Sequence, residues 1–277
     1  EEVLDDPRDL LIVDRSPFMA QKFKDYDGRW RTCFVDDARI DLASFIPIVR
    51  DSIREMAWMW RTMGTCDASL FCRFASLIAK RVRFRAFFRR YKPRFFWGRD
   101  DYSLDHIIRN QELRKHGGTS LGTNHGMPIS PHVGMWREVD FDIYYTYGSH
   151  LYDTAFKQTW HPNVKIKPVG TLNLTQARRE KLKMPRPRDI AFLPVQLQPF
   201  DEIFHEVFKV ARHFPDRLVF VRMKPAREPH YMERYKVLMA DAPSNIVAHI
   251  ERDPYDLLTT VSYAVAFTTL VAEALQF

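Results

Sequence analysis

The sequence predicts an α/β protein made of two successive parallel-sheet units. Three observations carry that reading. From residue 68 onward, short apolar runs alternate with helical stretches, and parallel strands need such crossovers. The length of 277 residues is about twice that of a usual single domain. Hydrophobic residues make up 45% and charged residues 28%, with Phe 21, Tyr 11 and Trp 6, which is enough for packed cores and too apolar for a disordered chain.

The elements follow in order. Within residues 1–40 only Leu10-Leu11-Ile12-Val13 is legible, as a short strand. Residues 41–63 and 68–90 read as helices, with Pro47 near the start of the first. Pro93 ends the second, and Arg94-Phe95-Phe96-Trp97-Gly98 reads as a strand. Asp105 to His116 reads as a helix, closed by Gly117-Gly118 through the left-handed conformation glycine allows. Strands are expected over Thr119 to Thr123 and Asp140 to Tyr147, a helix over 150–158 and a strand over 164–169. After Gly170 a polar helix spans 175–183, and Met184-Pro185-Arg186-Pro187-Arg188 breaks it. Then come strand 189–195, helix 200–213, strand 218–223, helix 228–241, strand 245–250, helix 254–261, strand 263–267 and helix 269–276. The break at 170–187 divides the chain into domains 1–170 and 171–277. Both read as Rossmann-like, and two such lobes are expected to face a ligand across a cleft, at the carboxyl ends of their strands.

Charge is concentrated. Lys80, Arg81, Arg83, Arg85, Arg89, Arg90, Lys92, Arg94 and Arg99 fall in one stretch without an acid, whereas the whole chain carries +7, so the remainder is mildly acidic. Phe74, Leu77, Ile78, Val82 and Phe88 roughly follow helical spacing through this stretch, with Phe84 and Phe87 off the stripe. Such a helix suits either an anionic membrane surface, through residues 80–94, or a core with an Arg-rich solvent side. No zinc-finger, helix-turn-helix or RNA-recognition signature accompanies it, which argues against nucleic acid. Three cysteines without metal-ligand spacing imply reduced thiols in a cytoplasmic protein. No stretch reaches the roughly 18 apolar residues of a spanning helix. The acidic start is not a signal peptide, and without Met it implies a piece of a longer product.

Candidate chemistry clusters after the predicted strands. His125-Gly126 follows one, where an imidazole titrating near neutrality can take a proton from a hydroxyl or make a structural hydrogen bond. Asp100 follows another, and it orients His125, acts as a base, or caps the next helix. Arg222 and Lys224 end a strand of the second half, where cations neutralise a diphosphate or form a solvated cluster. Thr268-Thr269 opens the last helix with free amides and hydroxyls, an anion site, and Glu273 one turn on can accept ribose hydroxyls. The chain has no G-x-x-x-x-G-K-[ST], G-x-G-x-x-G, G-x-S-x-G or H-E-x-x-H string, which argues against P-loop hydrolases, dinucleotide oxidoreductases, α/β-hydrolases and zincins. No metal site is expected: His205 and His213 lie two turns apart, without an acidic cluster.

Three groups of strings together resemble bacterial surface-polysaccharide glycosyltransferases of the two-domain GT-B architecture, of the capsule, lipopolysaccharide and teichoic-acid type. The first is Lys92-Pro93-Arg94-Phe95-Phe96-Trp97-Gly98-Arg99-Asp100-Asp101-Tyr102-Ser103 with Thr123-Asn124-His125-Gly126. The second is Phe141-Asp142-Ile143-Tyr144 with Lys165-Ile166-Lys167-Pro168-Val169-Gly170. The third is Phe214 to Pro225, then Asp253-Pro254-Tyr255-Asp256-Leu257-Leu258 and Thr268 to Leu275. The resemblance implies a nucleotide-sugar donor held by the second domain, with Arg222, Lys224, Thr268 and Thr269 on its phosphates and Glu273 on its ribose. It implies a glycan or glycolipid acceptor on the first domain, His125 as base, no metal or other cofactor, and a place at the inner face of the plasma membrane. It also implies that the C-terminal domain is incomplete, since relatives continue beyond the equivalent of Phe277. A nucleotide-sugar epimerase of similar architecture and a non-enzymatic membrane-docking protein are the rival expectations.

Overall fold

The computed structural model describes residues 11–14, 30–33, 42–63, 68–98, 105–124, 138–150, 152–195, 200–223, 229–248, 253–266, 274 and 277. The chain forms two compact units, Glu1–Val169 and Gly170–Phe277.

In the first unit the described strands are β1 (Leu11–Asp14), β2 (Trp30–Cys33), β3 (Phe95–Gly98), β4 (Thr119–Thr123), β5 (Ile143–Thr146) and β6 (Lys165–Pro168). They form one sheet in the order β2-β1-β3-β4-β5-β6, and every pairing is parallel. The helices are α1 (Leu42–Met63), α2 (Ala68–Tyr91) and α3 (Asp105–Lys115). β2 was not expected, because Trp30-Arg31-Thr32-Cys33 is neither alternating nor an apolar run. The expected helix over 150–158 is a π-helical turn, Tyr152–Phe156. The strand expected over Asp140 to Tyr147 is shorter, because Asp140 and Asp142 are side-chain partners of Arg114, at 2.7 Å each.

The end of α2 shows why the chain turns where it does. Lys92 sits at φ 41°, in the left-handed region, its amide still donating to the Phe88 carbonyl at 2.9 Å. Pro93 cannot continue a helix, so β3 begins two residues on. α3 ends in a Schellman turn: Gly117 has φ 77°, with Gly118 N–H on the Leu113 carbonyl and Gly117 N–H on that of Arg114.

Phe84, Phe87 and Phe88 of α2 pack toward the core, whereas the side chain of Phe74 on the expected stripe lies outside the described residues. Phe87 and Phe88 are buried with Phe96 and Leu113, and Phe84 packs on that cluster, so Phe87 belongs to the core although it lies off the expected stripe. Part of the basic stretch also turns inward. The fully buried Glu112 carboxylate accepts from Arg85 at 2.7 Å and from Arg81 and Lys115 at 2.8 Å, and Lys80 pairs with Asp105 at 2.7 Å. Burial pushes the Glu112 carboxyl up, but the hydrogen bonds from Arg85, Lys115 and Arg81 outweigh it and hold the group at about 2, against an ordinary 4.5. Arg83, Arg89, Arg90, Lys92 and Arg94 remain exposed.

Glycine makes room on the α3 face of this sheet. A Cβ on Gly122 would meet three atoms of the Phe141 ring at 2.7 Å. That ring is held between His106, stacked at 5.0 Å, and Tyr144 at 5.5 Å. Gly122→Val is therefore expected to overpack a ring that cannot retreat, costing roughly 1–3 kcal/mol or more. Urea denaturation should show a lower midpoint with an unchanged slope.

The second unit contains β7 (Ile190–Val195), β8 (Val219–Met223), β9 (Ile246–Ala248) and β10 (Tyr263–Ala266), again all parallel, in the order β10-β7-β8-β9. Its helices are α4 (Gln176–Leu182), α5 (Phe200–His213), α6 (Pro229–Ala240) and α7 (Pro254–Leu258). β7 is apolar on both faces, as a central parallel strand must be. Ile190 and Phe192 join Phe204, Val207 and Ala211 of α5 on one face, while Ala191 and Leu193 join Leu257, Leu258 and Val261 on the other. Pro194 has no amide to donate, and the register with β8 shifts between Phe192 and Val195. α5 spans its expected range, with Asp201 and Glu202 in its first turn and Arg212 and His213 in its last, as the helix dipole favours.

Candidate functional site

Open parallel sheets bind ligands at the carboxyl ends of their strands, where the strand order reverses. In the first unit the order reverses between β1 and β3. In the second it reverses between β7 and β10. In sequence, Asp100 follows β3, His125 follows β4, Lys224 follows β8, and Thr268, Thr269 and Glu273 follow β10. These six residues lie outside the described residues, and of the candidates only Arg222 lies within them.

Arg222 is the penultimate residue of β8 and is half-buried. Burial lowers its pKa below the ordinary arginine range, and electrostatic attraction, first to the Asp253 carboxylate and then to Tyr255, pulls it partly back. Asp253 caps α7, its carboxylate accepting from the Tyr255 amide at 2.8 Å and the Asp256 amide at 3.3 Å. The same carboxylate accepts from Arg178 at 3.0 Å. Arg178 also donates to Asp256 at 3.0 Å and to the Asn173 carbonyl at 2.9 Å, and its guanidinium lies 5.4 Å from the Tyr255 ring centroid. Arg178 is thus a structural cation that braces α4 against α7. Arg222 is a partly desolvated cation at a strand's carboxyl end, where a charge-assisted bond to an anion is strong.

The first unit carries a second buried cation, which sequence reasoning missed. Arg109 of α3 is buried, and its guanidinium lies where a Cβ on Gly98, the last residue of β3, would sit. It stacks over Phe96 at 4.9 Å and reaches Phe141 at 6.0 Å. Within a polar helix Arg109 reads as a surface residue. The available signal was the pair of glycines Gly98 and Gly122, which are register partners near the carboxyl ends of β3 and β4. On β3 and β5, Trp97 and Tyr145 stack at 5.2 Å with planes 7° apart, and the Asn124 amide donates to the Tyr145 carbonyl. His106 is not a free imidazole: its Nε2 accepts from the Asp140 amide at 3.2 Å, so that nitrogen carries no proton.

Among the described residues no group of three or more His, Cys, Asp or Glu is placed to hold a metal ion. No described helix is long and apolar enough to cross a membrane.

No protein-family model and no curated protein matches the sequence. Solved structures do. The chain is similar to UDP-GlcNAc 2-epimerase from Neisseria meningitidis bound to UDP-GlcNAc, with a TM-score of 0.53 and 9% identity over 93% of this chain and 76% of that one. It is also similar to the S. aureus MnaA–UDP co-structure, with a TM-score of 0.50 and 10% identity over 93% and 73%. At these identities the likeness is one of fold, and the chain has the parallel-sheet α/β architecture of GT-B-like enzymes.

Proposed function

We propose that the protein is an enzyme of nucleotide-activated sugars, and that it transfers the sugar, or a related phosphosugar unit, to a surface-polysaccharide acceptor. The observation that carries this reading is Arg222, a half-buried cation at the carboxyl end of β8 in a fold shared with enzymes solved with UDP-GlcNAc and UDP. The second unit holds the donor. Arg222 and Lys224, with the Thr268 and Thr269 hydroxyls and amides, neutralise the diphosphate, and the Glu273 carboxylate accepts the ribose hydroxyls. The first unit holds a glycan or glycolipid acceptor. His125, oriented by Asp100, takes the proton of the acceptor hydroxyl as its oxygen bonds to the anomeric carbon. The bond from that carbon to the diphosphate breaks, and protein cations stabilise the departing charge in place of a metal or other cofactor. The enzyme acts in the cytoplasm, at the inner face of the membrane, with the exposed cations of residues 83–94 toward anionic headgroups.

A second reading has a specific observation in its favour: the two solved structures above are an epimerase with its UDP-sugar and MnaA with UDP. Incubation with a nucleotide sugar alone separates the two. Transfer that requires an added acceptor supports the first reading, and an epimerised nucleotide sugar without acceptor supports the second. Arg222→Gln is expected to weaken nucleoside diphosphate binding about 10- to 100-fold, the usual worth of a hydrogen bond to a charged group. Calorimetry measures this directly, and unchanged affinity removes Arg222 from the site.

A further inference from the structure

α1 carries an apolar stripe that the fold leaves outside. Leu42, Ile46, Ile53 and Trp60 are 75%, 63%, 61% and 62% exposed, and Phe45 is 45% exposed. Spacings of four, seven and seven residues keep Leu42, Ile46, Ile53 and Trp60 on one face of a helix with about 3.6 residues per turn. A different side holds α1 to the body: Ile48 and Ser52 are buried, and Met56 lines a pocket with Leu77, Ile78 and Ile108. The charges are sorted around the helix as well. Arg50, Arg54 and Arg61, all exposed, border the stripe on one flank. Asp51 and Glu55 lie beyond them, toward the body, where Glu55 accepts from Arg81 at 3.3 Å. Trp58, also exposed, is off the stripe.

We infer that this face of α1 lies in the interface of an anionic lipid bilayer. Apolar and aromatic side chains bordered by arginines suit a helix lying in the headgroup region, its apolar side in the acyl boundary and its cations on the phosphates. No described helix is long and apolar enough to cross a membrane, and the inference concerns a contact along the side of α1. The charge arrangement favours lipid over a second copy of the chain. A second copy brings the same arginine flank, with Asp51 and Glu55 set beyond those arginines and away from the stripe, and each copy carries +7, whereas anionic headgroups complement both the flank and the net charge. α1 supplies the apolar contact, whereas Phe84, Phe87 and Phe88 of the basic helix α2 pack in the core and its exposed cations add charge alone. The inference concerns where the protein sits and stands apart from the reaction proposed above.

The test is flotation of the full chain with vesicles of phosphatidylglycerol and phosphatidylcholine, against phosphatidylcholine alone. Binding to the anionic vesicles is expected, falling steeply with salt. The double variant Ile53→Ser, Trp60→Ser should bind about tenfold more weakly or worse, because exposed apolar area is what partitions. Arg54→Glu with Arg61→Glu should bind more weakly and with a shallower salt dependence. Arg83→Glu with Arg89→Glu, on α2, should have the smaller effect. All of these side chains are exposed, so melting temperatures and nucleotide binding should hold, which separates this test from that of the reaction. Three results would each overturn the inference: no binding by the unaltered chain, undiminished binding by the Ile53, Trp60 variant, or a dimer in sedimentation equilibrium that this variant dissolves.

Discussion

Glu112→Ala is expected to destabilise the first unit by about 3 kcal/mol, the scale for breaking a buried ion pair from one side. The substitution strands Arg81, Arg85 and Lys115, which converge on one carboxylate that has no exposure of its own. Solvent reaches the three cations to different degrees, 20%, 13% and 47%, which keeps the loss from growing with their number. The contribution is also pH-dependent. The carboxyl titrates at about 2 in the fold and at 4.5 ordinarily, so the unfolded chain binds the proton more tightly. The stability from Glu112 is therefore present above 4.5 and drains away as pH falls toward 2. Asp142 adds a change of the same sign, since the Ser120 amide and hydroxyl and Arg114 outweigh its burial and lower its pKa. Chemical denaturation across this range should show a steep acid limb for the unaltered protein and a flatter one for Glu112→Gln. Equal slopes would mean that the cluster is not an ionic one.

His125→Ala is expected to lower turnover roughly 100- to 10,000-fold, the usual worth of a positioned general base. Donor affinity should be unchanged, because in the proposed reaction the imidazole acts on the acceptor hydroxyl and the donor's diphosphate is assigned to the cations of the second unit. The two quantities need separate measurement, turnover with donor and acceptor together and affinity by calorimetry with donor alone. A variant that keeps full turnover removes His125 from the chemistry. A variant that loses donor binding instead makes His125 a donor contact.

The periodicity of the chain shows the fold wherever one strong pattern acts alone. α5 is legible to its end residues because Phe204, Val207 and Ala211 recur at helical spacing between an acidic first turn and a basic last one. β2 is hidden because an edge strand of four residues, Trp30-Arg31-Thr32-Cys33, has neither alternation nor an apolar run in its sequence, and without it the reversal between β1 and β3 is not visible. The π turn at Tyr152–Phe156 reads as an α-helix because Tyr152, Ala155, Phe156 and Trp160 repeat like one. Charge is harder to read than apolarity. Nothing local distinguishes Arg81 and Arg85, which turn toward Glu112, from Arg83, which is exposed, because their partner lies on another helix. Arg109 is hidden for the same reason, its place being set by a missing Cβ on β3. For the site, the sequence marks positions after strands, and of those residues only Arg222 lies among the described ones.

The central claim is that the second unit grips the diphosphate of a nucleotide-activated sugar. The most direct measurement is the melting temperature of the full chain with and without nucleoside diphosphates, repeated on Arg222→Gln. At a ligand concentration about a hundredfold above its dissociation constant, binding should stabilise the fold by ~2.7 kcal/mol and raise the melting temperature by roughly 5 °C. The gain should shrink in the variant, and the corresponding nucleoside should give none. A melting temperature that no nucleoside diphosphate moves, or one raised as much by the nucleoside alone, would contradict the account.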